Sequence, residues 1–414
     1  MTAVPRPQRP VRILILSTFL TKDQAGAAQS IITIARALSR TEWADVTVAA
    51  QTWDEGTFSD NVRLVRLEAE AWPGPFWRLF PLTHYWHARR VIRDNKLGDF
   101  DVCYTQSIAY GLAYRAEFPG IPIVSHPGAV LWERELMEES TAPLRWRRFQ
   151  AWIARRLERR SYTEPRWLHV ASSRLVADAR TEAFHLAEGT FRIAPLPIDP
   201  MRFDPARVTR DVRSELGIGR DAFVVIVVAR LVAWKRVDAV IRAIAGLGPN
   251  VKLLVVGEGP ERGALESLTR ELGVGDRVYF AGRQDPPPYF AAGDLFVLPS
   301  LIESLGLVYL EAMMMGLPCI GLSYQPPKIL SAASEVIVED ETGFCVDDDD
   351  ALRERIARLA DDRERCRAMG ARARELALER YTPDRYVELL RSESSIAGQY
   401  SKGNATRFPS RADR

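Results

Sequence analysis

Leu295 to Leu298 is a short apolar run stopped by Pro299, and the residues after it restrict the fold more than any other stretch. The run reads as a buried strand. Ser304 to Gly306 reads as a turn. Leu307 to Met315, free of Gly and Pro, reads as a helix that Gly316 and Pro318 close. Strand, glycine turn and helix in that order aim free backbone N–H groups beyond the strand, which makes a ready anion site. Glu303 precedes the helix and Glu311 falls within its first turns, on opposite sides of that site. Carboxylates accept hydrogen bonds from hydroxyls. The pattern suits a ligand with hydroxyl-rich groups at both ends and phosphates between, as in a nucleotide sugar. Two ordinary exposed glutamates are the bland alternative.

At 414 residues, 47% of them hydrophobic, the chain has room for two domains with full cores. A net charge of +2, from 56 basic and 54 acidic residues, gives no case for nucleic-acid binding. Cys103, Cys319, Cys345 and Cys366 are scattered without metal-ligand spacing and read as reduced thiols of a cytoplasmic protein. Val11 to Leu20 is too short for a signal peptide core and lacks a cleavage site, so it reads as a first strand. No run approaches the ~18 apolar residues of a membrane span.

The opening strand, Val11 to Ser17, leads through a polar loop with Gly26 into a helix from Ser30, as in a doubly wound α/β domain. Ile121 to Ser125 is another strand, with His126 just past its end; a histidine satisfied locally in a loop competes with a ligand-facing one. Ala222 to Ala229 is strongly β-branched, as buried parallel strands are. Arg230 and Lys235 follow it. Lys252 to Val256 leads into Gly257-Glu258-Gly259, and Arg277 to Phe280 into Gly282-Arg283. Leu144 to Tyr162 reads as a basic helix with a core stripe of Trp146, Phe149, Ile153 and Leu157. Asp99-Phe100-Asp101 spells a metal-binding Asp-x-Asp but runs straight into a strand. Asp347 to Asp350 reads as a solvated helix start. No metal is expected at either place.

Glu303 to Glu311, with Arg230-x4-Lys235 upstream, resembles the Glu-x7-Glu and Arg/Lys motifs of the retaining glycosyltransferases of family 4 (group 1), which have the GT-B fold. The resemblance covers nearly the whole chain and is most specific from Ala222 to Phe344. It implies two facing doubly wound, Rossmann-like domains with a ligand cleft. Residues 1–195 would bind acceptor, 196–205 would link, and 206–380 would bind a nucleotide-diphosphate sugar. Residues 381–397 would form a helix crossing back, and 398–414 a disordered tail. Glu303 would face the donor sugar and Glu311 the ribose. The N–H groups of Ser304, Leu305, Gly306 and Leu307 would surround the diphosphate. Arg230 and Lys235 would neutralise the leaving diphosphate without a metal. Gly257 and Arg283 would lie beside the nucleotide, His126 would touch the donor sugar, and Gly26 would approach it closely. No cofactor is implied; UDP is the commonest donor base. The implied reaction moves a hexosyl group to an unidentified sugar, lipid-linked or small-molecule acceptor.

The chain departs from the family at Ala25-Gly26, at Leu196-Pro197 and at Ser331 to Glu335. A nucleotide-sugar epimerase, a phosphorylase and a degenerate sugar-nucleotide binder stay open as alternatives. Trp72 to Trp86 packs aromatics among cations and suits a core helix, an acceptor contact or weak membrane-surface contact. Lys328 reads either as added charge near the donor or as solvent-facing.

Overall fold

The computed structural model describes residues 9–17, 19–20, 26–58, 61–67, 82–126 and 144–391. Among these the chain forms two compact units. The first takes the described residues up to 172, with 176–197 and 383–391; the second takes Ser173–Leu175 and Ile198–Thr382.

The first unit is built on a seven-stranded parallel sheet. Its spatial order is Arg63–Arg66, Ala44–Ala50, Val11–Leu16, Val102–Thr105, Ile123–Ser125, Trp167–Ala171, Phe191–Ile193. The order reverses beside Val11–Leu16, which pairs with Ala44–Ala50 on one side and Val102–Thr105 on the other. The central strands are buried on both faces, as continuous apolar runs require.

The second unit carries a six-stranded parallel sheet in the order Val278–Gly282, Val251–Val256, Phe223–Val228, Leu295–Leu298, Cys319–Leu322, Gly343–Val346. Here the reversal falls between Phe223–Val228 and Leu295–Leu298, where Ile226 aligns with Leu254 on one side and Phe296 on the other. Phe223 to Val227 are at most 1% exposed. Phe296 takes Phe290 and Tyr309 edge-on at 5.8 and 5.5 Å, tying the sheet to the helix Leu307–Met314. Two doubly wound parallel-sheet domains agree with the expected fold class.

The boundary between the units, Pro197 to Ile198, falls inside the stretch expected as a linker, 196–205, and the later part of that stretch packs into the second unit. Ile198 and Phe203 are buried in the second unit's core. The Ile198 N–H donates to the Tyr381 carbonyl at 2.9 Å, and Pro205–Arg207 forms a 3-10 turn capped by Asp204. Residues 383–391 are helical and belong to the first unit; 392–414 lie outside the described residues.

The stripe expected on the basic helix needs correction. On Leu144–Ser161 the buried side is Gln150, Ile153, Ala154 and Glu158, while Phe149 is 39% exposed and stacks on the exposed Trp152. Glu158 is retained inside by Arg180 at 2.8 Å and by the Tyr162 hydroxyl, so the inner line of this helix is partly ionic.

Of the aromatic stretch, 72–81 lies outside the described residues. From Leu82 the helix Leu82–Asp94 buries Tyr85 and His87 and exposes Trp86, over which Arg89 lies.

Candidate active site

In an open parallel sheet, ligands gather beyond the carboxyl ends of strands where the order reverses. The loops at that reversal in the second unit carry Arg230 and Lys235 after Phe223–Val228, and Glu303 after Leu295–Leu298. The 3-10 turn Ala233–Lys235 is fastened to the second loop through its Trp234 carbonyl. That oxygen accepts the Leu301 N–H at 2.8 Å and the Ser300 hydroxyl at 3.3 Å. The fastening brings Lys235 Nζ to 2.5 Å from Glu303 Oε2. Both side chains keep some solvent contact, 19% and 13%. An ammonium has three donors, so one bond to Glu303 leaves two for a ligand's phosphate oxygens.

Glu303 is held from behind. Ile302–Glu303 pairs with Leu330–Ser331, and the Glu303 carbonyl accepts the Ala332 N–H at 2.9 Å. Sequence patterning gave no sign of this two-residue pairing.

Gly306 then turns the chain into Leu307–Met314 with φ 78°, in the left-handed region, and no side chain caps the helix. A Cβ at Gly306 would run into the Tyr309 ring and come within 3.0 Å of Glu303 Cγ. Tyr309 cannot yield, because its hydroxyl donates to the Leu298 carbonyl at 2.5 Å and it is fully buried. Leu305 and Gly306 are buried; Ser304 and Leu307 are half-buried. Glu311 lies farther along the helix, and no described side chain hydrogen-bonds its carboxylate. Burial raises it to about 7, against a weaker pull downward from Arg202.

Gly257 and Gly259 are required by close backbone approach. Gly257 has φ 139°, and a Cβ there would collide with the Ala229 carbonyl oxygen; one at Gly259 would collide with that of Leu231. The backbone bonds across this seam run from Leu231 N–H to Glu258 carbonyl, 2.9 Å, and from Gly257 N–H to Gly282 carbonyl, 2.8 Å. Arg230 and Arg283 stand exposed at their strand ends. The structure thus gathers the loops of Arg230, Lys235, Gly257, Arg283 and Glu303 at the carboxyl ends of neighbouring strands. Lys328 is exposed, on a turn.

In the first unit, Gly26 starts the helix Ala27–Ser39 with φ 67° and no side-chain cap. His126 follows Ile123–Ser125, its N–H donating to the Thr105 carbonyl at 3.0 Å. The ring is 2% exposed, and burial, then the charge of Arg180, lowers it to about 3. Its Nδ1 lies 2.8 Å from the Tyr386 hydroxyl, and its Nε2 has no partner among the described residues. Tyr386 comes from 260 residues away and carried no sequence signal.

The Asp-x-Asp carboxylates are used locally: Asp101 accepts from Arg9 and from the Arg12 backbone, and Asp99 pairs with Arg12. Asp348 caps the helix Asp349–Asp361, and Asp349 meets Arg236. No cluster of metal-ligating side chains occurs among the described residues, and no described helix is long and apolar enough to cross a membrane.

Two glycosyltransferase family models match this architecture. Residues 25–190 match the glycosyl transferase 4-like domain, and residues 208–376 match the glycosyl transferases group 1 domain. The chain belongs to the group 1 (family 4) glycosyltransferases of the GT-B fold.

Among its relatives, N-acetyl-alpha-D-glucosaminyl L-malate synthase of Bacillus anthracis is 36% identical over 181 residues, covering 42% of this chain and 46% of that protein. The lipopolysaccharide core biosynthesis glycosyltransferase LpsD of Rhizobium meliloti is 39% identical over 184 residues, 43% and 52%. A GDP-mannose-dependent alpha-(1-6)-phosphatidylinositol monomannoside mannosyltransferase of Mycolicibacterium smegmatis is 33% identical over 204 residues, 45% and 51%. The chain spans about half the length of these relatives. In structure it is similar to the sucrose-phosphate synthase of Thermosynechococcus elongatus, with TM-score 0.73, 20% identity and coverage of 95% and 100%. Anabaena Alr3699/HepE, in complex with UDP and glucose, gives 0.69, 20%, 93% and 99%. At such identities the likeness speaks for the fold alone.

Proposed function

We propose that this protein transfers a hexosyl group from a nucleoside diphosphate sugar to a hydroxyl acceptor, with retention of anomeric configuration. The observation that carries the reading is the Lys235–Glu303 contact at the reversal point of the second sheet. It sets a cation for the diphosphate beside a carboxylate for the sugar. Lys235 and Arg230 neutralise the charge that grows on the leaving diphosphate, and their weight falls in the transition state. The N–H groups from Ser304 to Leu307 receive a phosphate at the uncapped helix start. Glu311 accepts from the ribose hydroxyls, Gly257 and Arg283 border the base, and Glu303 orients the hexose. His126 serves the donor sugar near its reacting carbon, and Gly26 permits close backbone approach to the donor.

In the reaction the bond from the anomeric carbon to the diphosphate oxygen breaks. The acceptor oxygen bonds the same face of that carbon, and the acceptor's proton goes to the departing phosphate oxygen. Neither glutamate acts as a covalent nucleophile. The nucleoside diphosphate is UDP or GDP: the resemblance favours the first, and the name of a mannosyltransferase relative brings in the second. The acceptor is a sugar, lipid-linked or small-molecule hydroxyl. The free cysteines suit a reducing, cytoplasmic setting.

A thermal-shift panel of nucleotide sugars tests the reading, since a ligand of the folded state raises its stability by mass action. The stabilising sugar is then incubated with candidate acceptors, and NMR reads the anomeric configuration of the product. A retained linkage supports the proposal. An inverted one, or epimerised donor formed without acceptor, overturns it.

A further inference from the structure

His126, Tyr386 and Tyr104 form a buried hydrogen-bonded line in the first unit. His126 Nδ1 lies 2.8 Å from the Tyr386 hydroxyl, which lies 3.2 Å from that of Tyr104. The three side chains are 2%, 4% and 1% exposed, and the imidazole stacks on the Tyr386 ring with an interplanar angle of 15°. So deep in the protein the imidazole is neutral and carries one N–H. Which nitrogen keeps it is decided by the partner of the other.

A phenol is the stronger donor of this pair, and an unprotonated imidazole nitrogen is a strong acceptor. The hydrogen bonds therefore run from Tyr104 to Tyr386 and from Tyr386 to Nδ1. The proton of His126 is left on Nε2, the nitrogen with no partner among the described residues.

We propose that Tyr386, from the chain's last described helix, is a positioning residue that fixes His126 as its Nε2–H tautomer, so that the ring presents a neutral donor to an oxygen of the donor sugar. This rests on the reading of His126 given above. It adds that His126 works as a fixed hydrogen-bond donor and not as a titrating acid or base. It also makes the helix 383–391 part of the first unit's chemistry.

The test is nitrogen NMR of protein labelled in histidine, tractable because the chain has five histidines. Wild type should show His126 with a pyridine-type Nδ1 and a protonated Nε2 across pH 6 to 8. Tyr386→Phe, which keeps the ring and removes the hydroxyl, should mix the two tautomers and lower kcat up to roughly tenfold with donor KM less changed. Tyr104→Phe leaves the direct bond and should do less to both. His126→Ala should lose more, and adding Tyr386→Phe to it should cost nothing further.

A protonated Nδ1 in wild type overturns the assignment. So does Tyr386→Phe with wild-type tautomer and kcat at unchanged melting temperature. Mixed tautomers with unchanged kcat overturn the positioning role. Failure of the underlying reading shows separately, as full activity in His126→Ala.

Discussion

Lys235 Nζ lies 2.5 Å from Glu303 Oε2, joining loops that follow the two strands on either side of the second sheet's reversal point. The contact is not an incidental surface pair. The first loop is clasped to the second through the Trp234 carbonyl, and the second is anchored in turn by the pairing of Ile302–Glu303 with Leu330–Ser331. Two side chains held by backbone at both ends lose little further freedom on meeting a ligand, which is what preorganisation requires.

Gly306→Ala should fold poorly or not at all. A side chain in the left-handed region costs roughly 1–2 kcal/mol, and here its Cβ would also strike the Tyr309 ring, fixed by its bond to the Leu298 carbonyl. Urea denaturation should show a loss of at least about 2 kcal/mol. A loss under half of that would mean that the turn relaxes, and that Gly306 is not needed for its geometry.

Glu311 should make stability fall with rising pH. Its folded value is raised to about 7 from an ordinary 4.5, so the native state resists losing this proton while the unfolded chain gives it up. Below pH ~4.5 both states hold the proton and no penalty exists; it grows between 4.5 and 7 and is complete above. Glu311→Gln should therefore melt like wild type at pH 4.5 and higher than wild type at pH 8. A constant difference between the two pH values would contradict the burial argument. In binding, Glu311→Ala should weaken free nucleoside diphosphate roughly ten- to hundredfold, as loss of a charge-assisted hydrogen bond implies. Unchanged affinity in a folded variant would remove Glu311 from the ribose.

Much of the fold was legible, because Phe223–Val228 and Leu295–Leu298 are apolar runs bounded by turn residues and bury both faces. The candidate site was legible for a related reason: Arg230, Lys235 and Glu303 fall in the loops just past such runs. What escaped was set by distance along the chain. Nothing local marks Tyr386 as the partner of His126, or the Trp234 carbonyl as the clasp for Lys235. Phe149 was misplaced because neighbouring helical positions differ by only ~100°, so Phe149 and Gln150 mark almost equally good stripes. The structure buries Gln150, one of the inner line with Glu158, itself satisfied by Arg180. The boundary between the units, Pro197 to Ile198, lies in the proline-rich stretch; what the prolines do not reveal is burial, because they rule out helix and strand while Ile198 and Phe203 supply apolar surface between them.

Transfer should survive a chelator. Arg230 and Lys235 neutralise the leaving diphosphate's charge in this account, and the carboxylates of Asp99 and Asp101 are engaged by Arg12 and Arg9. Initial rates with and without EDTA are the check. Abolition by EDTA with rescue by magnesium or manganese would reassign the charge to a metal.

The most direct test is steady-state kinetics of Lys235→Ala and Lys235→Arg, with Glu303→Gln and the double variant Lys235→Ala/Glu303→Gln, each beside its melting curve. A cation that meets the diphosphate more strongly as the bond breaks must appear mainly in kcat. Lys235→Ala should lower kcat well beyond its modest rise in KM. Lys235→Arg should recover part of the loss, since it keeps charge and changes shape. The double variant should be less impaired than the two single losses combined, because the partners touch. Wild-type kcat in Lys235→Ala, or a loss explained entirely by unfolding, would contradict the leaving-group role and with it the reading of this site.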